Sequence, residues 1–277
     1  GSSFGLRSFG IPFIGLYGAC STMALSAGLA AVFIDSGAAK KTISVTSSHF
    51  CSAERQYRFP LNYGSQRTPT AQWTVTGSGA LILGKDGGDI YINSVTFGEI
   101  EDLNIKDANN MGAAMAPAFI DTLTRFFQES GTSPTDFDLI LSGDLGQVGH
   151  DIVMDLMGTQ GYDLRNVYQD CGMMIYDSQT QDVHAGGSGC GCSASVLCGY
   201  VLHQMRCVWT CAVAMYRGFA QYQQCIAGAQ YSRYCASDLF YVTANRRRDL
   251  KDAGRNHILF DYIRDRRRIL CACTVTH

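Results

Sequence analysis

A chain of 277 residues with 46% hydrophobic content has enough apolar surface to close a core, and its composition is neither disordered nor fibrous. Its net charge of −2 hides a split, because residues 1–205 carry 10 Lys and Arg against 19 Asp and Glu, whereas residues 206–277 carry 12 against 5. The basic end has no recognisable nucleic-acid motif, so no nucleic-acid partner is expected. The twelve cysteines lack regular spacing and a signal-peptide pattern, and they read as reduced thiols rather than a secreted disulfide framework.

Residues 8–34 run without a charge, long enough to cross the ~30 Å hydrocarbon layer of a membrane as a helix. Pro12, Gly15 and Gly18 interrupt the run, and Ser21, Thr22 and Ser26 add polar groups. It therefore reads as a buried strand over 11–17 and a buried helix over 21–36 stopped at Gly37, with no transmembrane segment. A β-branched strand follows at 41–47, then a polar loop over 49–70 with Arg55, Arg58 and Arg67, a length typical of functional loops. Residues 73–83 and 89–99 read as two strands joined by a Gly-rich hairpin at 85–88. Helical spacing over 113–129 puts Phe119, Leu123, Phe126 and Phe127 on one side. Beyond it come a strand at 137–142, a helix at 148–157, a strand at 172–176, and a Gly-rich turn feeding a helix at 193–205. This alternation predicts a layered α/β fold.

Cys20 is the centre of the chemistry. It lies between the Gly18 turn and a helix opened by Ser21 and Thr22, where free backbone N–H groups and the positive end of the helix dipole stabilise a thiolate. The plain alternative is a small buried core residue. Cys190 and Cys192 offer two metal ligands, but no CxxC pair or spaced His partner completes a site, so no metal is expected.

The surroundings of Cys20 carry a resemblance. Thr46-Ser47-Ser48-His49-Phe50, Ala53-Glu54-Arg55-Gln56, Thr74-Val75-Thr76-Gly77-Ser78-Gly79, Met111-Gly112-Ala113-Ala114-Met115, Leu141-Ser142-Gly143-Asp144 and Gly186-Gly187-Ser188-Gly189-Cys190 follow in order. Over residues 1–205 this pattern resembles the stage V sporulation protein AD family, thiolase-fold proteins of endospore-forming bacteria. The resemblance implies an α/β thiolase-like layered sandwich, incomplete at both ends. It also implies a non-catalytic role in sporulation, binding dipicolinic acid and supporting its uptake into the developing spore. The ligand-binding residues it implies are Cys20, His49, Arg55, Asp144, Gly187 and Ser188. The ligand is expected free or as its calcium chelate, with no other cofactor. Other stage V sporulation membrane proteins are the expected partners, the location is the cytoplasmic side of the spore inner membrane, and a homodimer fits the fold.

An active condensing enzyme pairs its cysteine with polar partners, commonly His with His or Asn. Here Ser142-Gly143-Asp144 stands where a catalytic His often follows a strand, and an Asp there has the wrong sign for an enolate. His49 and His184 are the available substitutes. The rival reading is an acyltransferase or condensing enzyme that uses Cys20 as acyl carrier and a CoA thioester as substrate. Residues 206–277 contain six cysteines, two Arg triplets and neither Pro nor Glu. They read as a basic tail outside the family pattern, the product of a frameshift, because a one-nucleotide shift can restore family motifs over 216–223 and 231–237. Such a tail is expected to pack poorly on the core.

Overall fold

The computed structural model describes residues 2–50, 68–86, 88, 90–107, 109–207, 211–221, 233–244 and 267–275, with the backbone alone from 206 onward. The uncharged N-terminal run divides at Gly18. Before it, helix α1 (Ser2–Leu6) and a 3-10 turn (Arg7–Phe9) lead into irregular chain over 10–18. The strand expected at 11–17 is absent, and Ile11, Phe13, Ile14 and Tyr17 are exposed. Gly10 turns the chain at φ 62°, Pro12 has no N–H to offer a ladder, and no described strand lies alongside. An apolar run becomes a strand only where a neighbour supplies the other half of its hydrogen bonds.

After Gly18 the expectation holds. A 3-10 turn (Ala19–Ser21) opens α2 (Thr22–Asp35), an Ala-rich helix whose Met23, Ala24, Ala27, Ala31 and Ile34 are all buried, and Gly37 at φ 78° reverses the chain. Strand β1 (Lys41–Ser48) inverts the usual alternation, burying Ser44, Thr46 and Ser48 and exposing Ile43 and Val45. The hydroxyls are buried because they have partners: Ser26 of α2 lies 2.6 Å from Ser44 and 3.3 Å from Thr46.

The single strand expected over 73–83 breaks into β2 (Trp73–Thr74) and β3 (Gly77–Gly84), and β4 (Ile90–Phe97) follows. Helix α3 (Met111–Ser130) starts where the Asn110 side chain accepts from Ala113 N at 3.0 Å and ends at left-handed Gly131. Phe119, Leu123, Phe126 and Phe127 are buried along it, as their spacing predicts. Next come β5 (Leu139–Ser142), α4 (Gly146–Thr159) and β6 (Tyr168–Asp170). The strand expected at 172–176 is instead a single helical turn, α5 (Cys171–Met174), because the Asp170 carboxylate accepts from Gly172 N at 2.9 Å and caps it. Strand β7 (Gly187–Ser188) pairs in parallel with β2 to form a small second sheet. Helix α6 (Cys190–Val196), a π-helical segment over Leu197–Val201 and α7 (Leu202–Cys207) make up the helix expected at 193–205.

The main sheet has eight strands in the order β1-β3-β10-β4-β9-β8-β5-β6, with β8 (Cys211–Gln221), β9 (Arg233–Ala244) and β10 (Arg267–Val275) contributing backbone. Two expectations change here. Strands β3 and β4 do not form a hairpin, because β10 lies between them and pairs antiparallel with both. Three backbone segments of the tail also enter the sheet, where a tail packed poorly on the core was expected.

Helices cover both faces of this sheet. Along β5, Leu139 and Leu141 join a core with Met23, Ala27 and Ile34 of α2 and Ala194, Leu197 and Leu202 beyond β7. Ile140 joins the opposite core with Met115, Phe119 and Leu123 of α3 and Val153 and Met157 of α4. Every residue of β5 is buried, as expected of a strand with parallel neighbours on both sides, β6 and β8. Among the described residues no helix is long and apolar enough to cross a membrane.

Helices α3 and α4 cross where a side chain on Gly112 would come within 2.6 Å of Gly149 N and 2.7 Å of Leu145 O, both backbone atoms that cannot rotate away. Gly112→Ala is expected to destabilise the fold by ~1–3 kcal/mol, as overpacking does. Chemical denaturation checks this, and an unchanged midpoint would place the crossing wrongly.

Candidate functional site

Cys20 sits in the tight turn before α2, 1% exposed. Local hydroxyls tie that turn: Ser21 Oγ donates to Gly18 O at 2.9 Å, Thr22 Oγ1 donates to Ala19 O at 2.6 Å, and Gly18 N donates to Thr22 Oγ1 at 3.2 Å. They hold Ala19 at φ 48°, a left-handed conformation that costs a non-glycine residue energy. The turn packs against α6 and the backbone of β8.

The polar centre of the site is built from three loops. After β5 the chain turns through Gly143 to Asp144, which is buried, and Asp144 Oδ2 accepts from Ser188 Oγ at 2.8 Å and from Gly189 N at 2.9 Å. The Asp144 carbonyl accepts from Gln72 Nε2 at 2.7 Å. Asp144 Oδ1, Gln72 Oε1 and Thr74 Oγ1 are buried without a hydrogen-bond partner among the described residues. The turn carrying Ser188 is itself zipped on both sides. Gly186 O accepts from Trp73 N at 2.8 Å, Ser188 O accepts from Val75 N at 2.9 Å, and Ala185 O accepts from Gln147 N at 2.8 Å.

Behind Asp144 lies a second buried carboxylate, Asp170, at the end of β6. It accepts from Leu145 N at 2.8 Å, from Gly146 N and Gly172 N at 2.9 Å, and from Ser142 Oγ at 2.5 Å. Burial, and then the negative charge of Asp144, push its pKa up to about 6 against the pull of these donors. Burial pushes the neighbouring Cys171 thiol well above its usual value, with Cys192, Asp170 and Asp144 adding to the effect.

Of the residues expected at the site, Asp144, Gly187 and Ser188 are brought together, and the Cys20 turn reaches them through α6, which starts just after Gly189. His49 is exposed at the end of β1, beside the stacked rings of Phe50 and Trp73 at 4.7 Å. Arg55, Arg58 and Arg67 lie outside the described residues. His184 is paired with Asp182 at 3.1 Å, away from Asp144's bonding partners. Sequence reasoning missed Asp170 and Gln72. A signal for Asp170 was present, since Asp is a preferred N-cap whose side chain accepts from the N–H two residues on. Nothing in the sequence marks Gln72. Among the described residues no group of three His, Cys, Asp or Glu could hold a metal ion.

Comparison with known proteins gives the family and the fold. The sequence pattern of the family Stage V sporulation protein AD (SpoVAD) matches residues 1–214, past the boundary expected near 205. Stage V sporulation protein AD of Bacillus subtilis (strain 168) is 46% identical over 200 residues, covering 72% of this chain and 59% of that protein. The chain thus spans little more than half the length of that relative. Among solved structures, AbyA1, a tetronic acid condensing enzyme, superposes with a TM-score of 0.52 at 13% identity, over 85% of this chain and 69% of that one. A variant of Xanthomonas campestris OleA bound with cerulenin gives a TM-score of 0.51 at 10% identity, over 87% and 67%. At these identities the likeness is one of fold, α/β and thiolase-like.

The raised pKa of Asp170 has a definite sign in stability. Its folded value of about 6 lies above the ordinary 3.8, so the folded state holds the proton more tightly. The resulting stabilisation is fully present below the ordinary value and is lost as pH rises through about 6, amounting to roughly 3 kcal/mol. Denaturant titrations from pH 4 to 7 are expected to show this fall in the unmodified chain and not in Asp170→Asn. Equal slopes in both would remove Asp170 as the cause.

Proposed function

The chain belongs to the stage V sporulation protein AD family, and from that premise we propose that it is a non-catalytic thiolase-fold protein of sporulation whose pocket binds dipicolinic acid and supports its uptake into the developing spore. The observation that carries this reading is the occupation of the polar centre by Asp144. A condensing enzyme needs donors for an oxyanion and a group that moves protons. Asp144 is an acceptor, already engaged by Ser188 and Gly189. Among the described residues no imidazole joins it, since His49 is exposed and His184 pairs with Asp182.

A flat aromatic dicarboxylate is held by backbone N–H groups and by cations that pair with its carboxylates. The Cys20 turn at the start of α2 and Gly187 of the adjoining turn provide the first, since Gly186 N and Gly189 N already donate to Val183 O and Asp144. His49 and Arg55 of the 49–67 loop provide the second. The protein acts with other stage V sporulation membrane proteins, peripheral to the cytoplasmic side of the spore inner membrane. A second reading, an acyltransferase using Cys20 as acyl carrier, is favoured by one observation: the strained Ala19 that presents the cysteine.

Calorimetry and intact-mass measurement separate the two readings. Dipicolinate is expected to give saturable heat, with or without calcium, and Cys20→Ser is expected to keep it. Incubation with acetyl-CoA is expected to leave the mass unchanged. Turnover of acetyl-CoA or acetoacetyl-CoA that disappears in Cys20→Ala would assign the enzyme instead.

A further inference from the structure

Two buried acids beside a proposed anion site pose an electrostatic problem. Asp144 and Asp170 are each at most 1% exposed, and their hydrogen bonds come from Ser188, Gly189, Ser142, Leu145, Gly146 and Gly172, all of them neutral groups. Among the described residues neither acid is paired with Lys, Arg or His. An anion that touches the 186–189 turn adds further negative charge close to both.

Resting on the reading of this pocket as an anion site, we propose that its occupancy is proton-linked: entry of the dianion draws proton from solvent onto the carboxylate pair, where it is held on Asp170. Geometry selects Asp170 because a proton there has somewhere to point. Ser142 Oγ lies 2.5 Å from Asp170 Oδ2, 2.8 Å from the Tyr168 hydroxyl and 3.4 Å from Gln169 O. The Ser142 hydroxyl can therefore reverse, accepting from a protonated Asp170 and donating to the Gln169 carbonyl or to Tyr168. The three N–H donors then keep their acceptors. Asp144 has no such relay, because Gly189 N can only donate and the Ser188 hydroxyl has no second partner among the described residues to which it could turn.

Among the described residues, four other titratable groups face the pair. Cys171 of α5 has its pKa pushed well up and stays a neutral thiol, and Cys192 of α6 is buried beside it. Tyr168 of β6 is bonded to Ser142. His150 of α4 stacks on the Tyr168 ring at 4.8 Å and pairs with Asp151 at 3.1 Å. With Asp170 at about 6 in the empty site, one added charge ~10 Å away shifts its protonation roughly tenfold. Affinity accordingly rises as pH falls from 8 and levels off below 6.

The test is calorimetry of the full chain with dipicolinate, a dianion throughout this range, from pH 5.5 to 8 in pairs of buffers that differ in ionisation enthalpy. The expected result is net proton uptake that peaks at about half a proton per ligand near pH 6.5, with affinity roughly fivefold tighter at pH 6 than at pH 8. Asp170→Asn is expected to bind with a flat pH profile and no proton uptake. His150→Gln is expected to leave the profile of the unmodified chain intact. Asn at 170 cannot accept from every donor there, so infrared difference spectra of the unmodified chain give a second readout, a protonated-carboxyl band that appears with ligand. Binding without proton uptake, or uptake lost in His150→Gln, would overturn the proposal. So would a requirement for calcium with no pH dependence, since the metal would then neutralise the charge. Absence of heat at every pH would overturn the anion-pocket reading beneath it.

Discussion

The site depends on two carboxylates that accept where backbone must meet backbone. The loops over 142–146, 170–172 and 185–189 approach so closely that no Cβ fits at Gly146, Gly172 or Gly186. A Cβ on Gly172 would strike Gly187 O, one on Gly146 would strike Ala185 O, and one on Gly186 would lie 2.6 Å from Gly172 O. Loops this close cannot all find partners in helix or sheet. Asp170 alone satisfies three N–H groups and a hydroxyl, each of which would cost ~1–3 kcal/mol if buried unpaired. A carboxylate suits the task because it accepts at two oxygens and donates nothing.

The sheet explains why this clamp forms where it does. Asp144 follows β5 and Asp170 ends β6, so both lie at the carboxyl ends of adjacent parallel strands. In open α/β sheets that edge is where helices begin, where backbone N–H groups converge and where ligands bind. Asp170 caps the starts of α4 and α5, while Asp144 fixes the turn that leads into α6. Strand β8 runs parallel to β5 on its other side, and the Cys20 turn packs against it. The cysteine and the carboxylates are thus brought to one region by strand direction rather than by closeness in sequence.

What the sequence made legible followed from local chemistry. Helix α2 announced itself through Ser21, Thr22 and Gly37, and α3 through the spacing of its Phe and Leu residues, all effects within a few residues. Asp144, Gly187 and Ser188 were legible through motifs held in order. The failures share one cause, a partner distant in sequence. Residues 11–17 have strand composition and no strand beside them. Strands β3 and β4 look like a hairpin until β10 arrives from more than 170 residues downstream to separate them. Residues 172–176 have an apolar strand signature, yet one cap at Asp170 decides their conformation. Ser44, Thr46 and Ser48 face inward because Ser26, Val75 O and Gly191 N receive them, which no period-two rule anticipates.

A purely structural clamp would not need this chemistry. Removing one partner from a buried polar cluster costs several kcal/mol, but replacing a whole buried charged group with neutral residues of similar shape is often neutral or stabilising. Two acids without a cation among the described residues therefore hold the fold less firmly than a neutral network would, above all once Asp170 ionises. Local structure that sets aside stability at the carboxyl edge of a parallel sheet, beside a strained cysteine turn, is the pattern of a functional site. The same reasoning separates Asp170 from Asp163, whose exposed pairing with Arg165 lowers its pKa to about 2. Asp163 gains a partner at the surface and retains its charge, whereas Asp170 is buried and, among the described residues, is bonded to neutral donors alone.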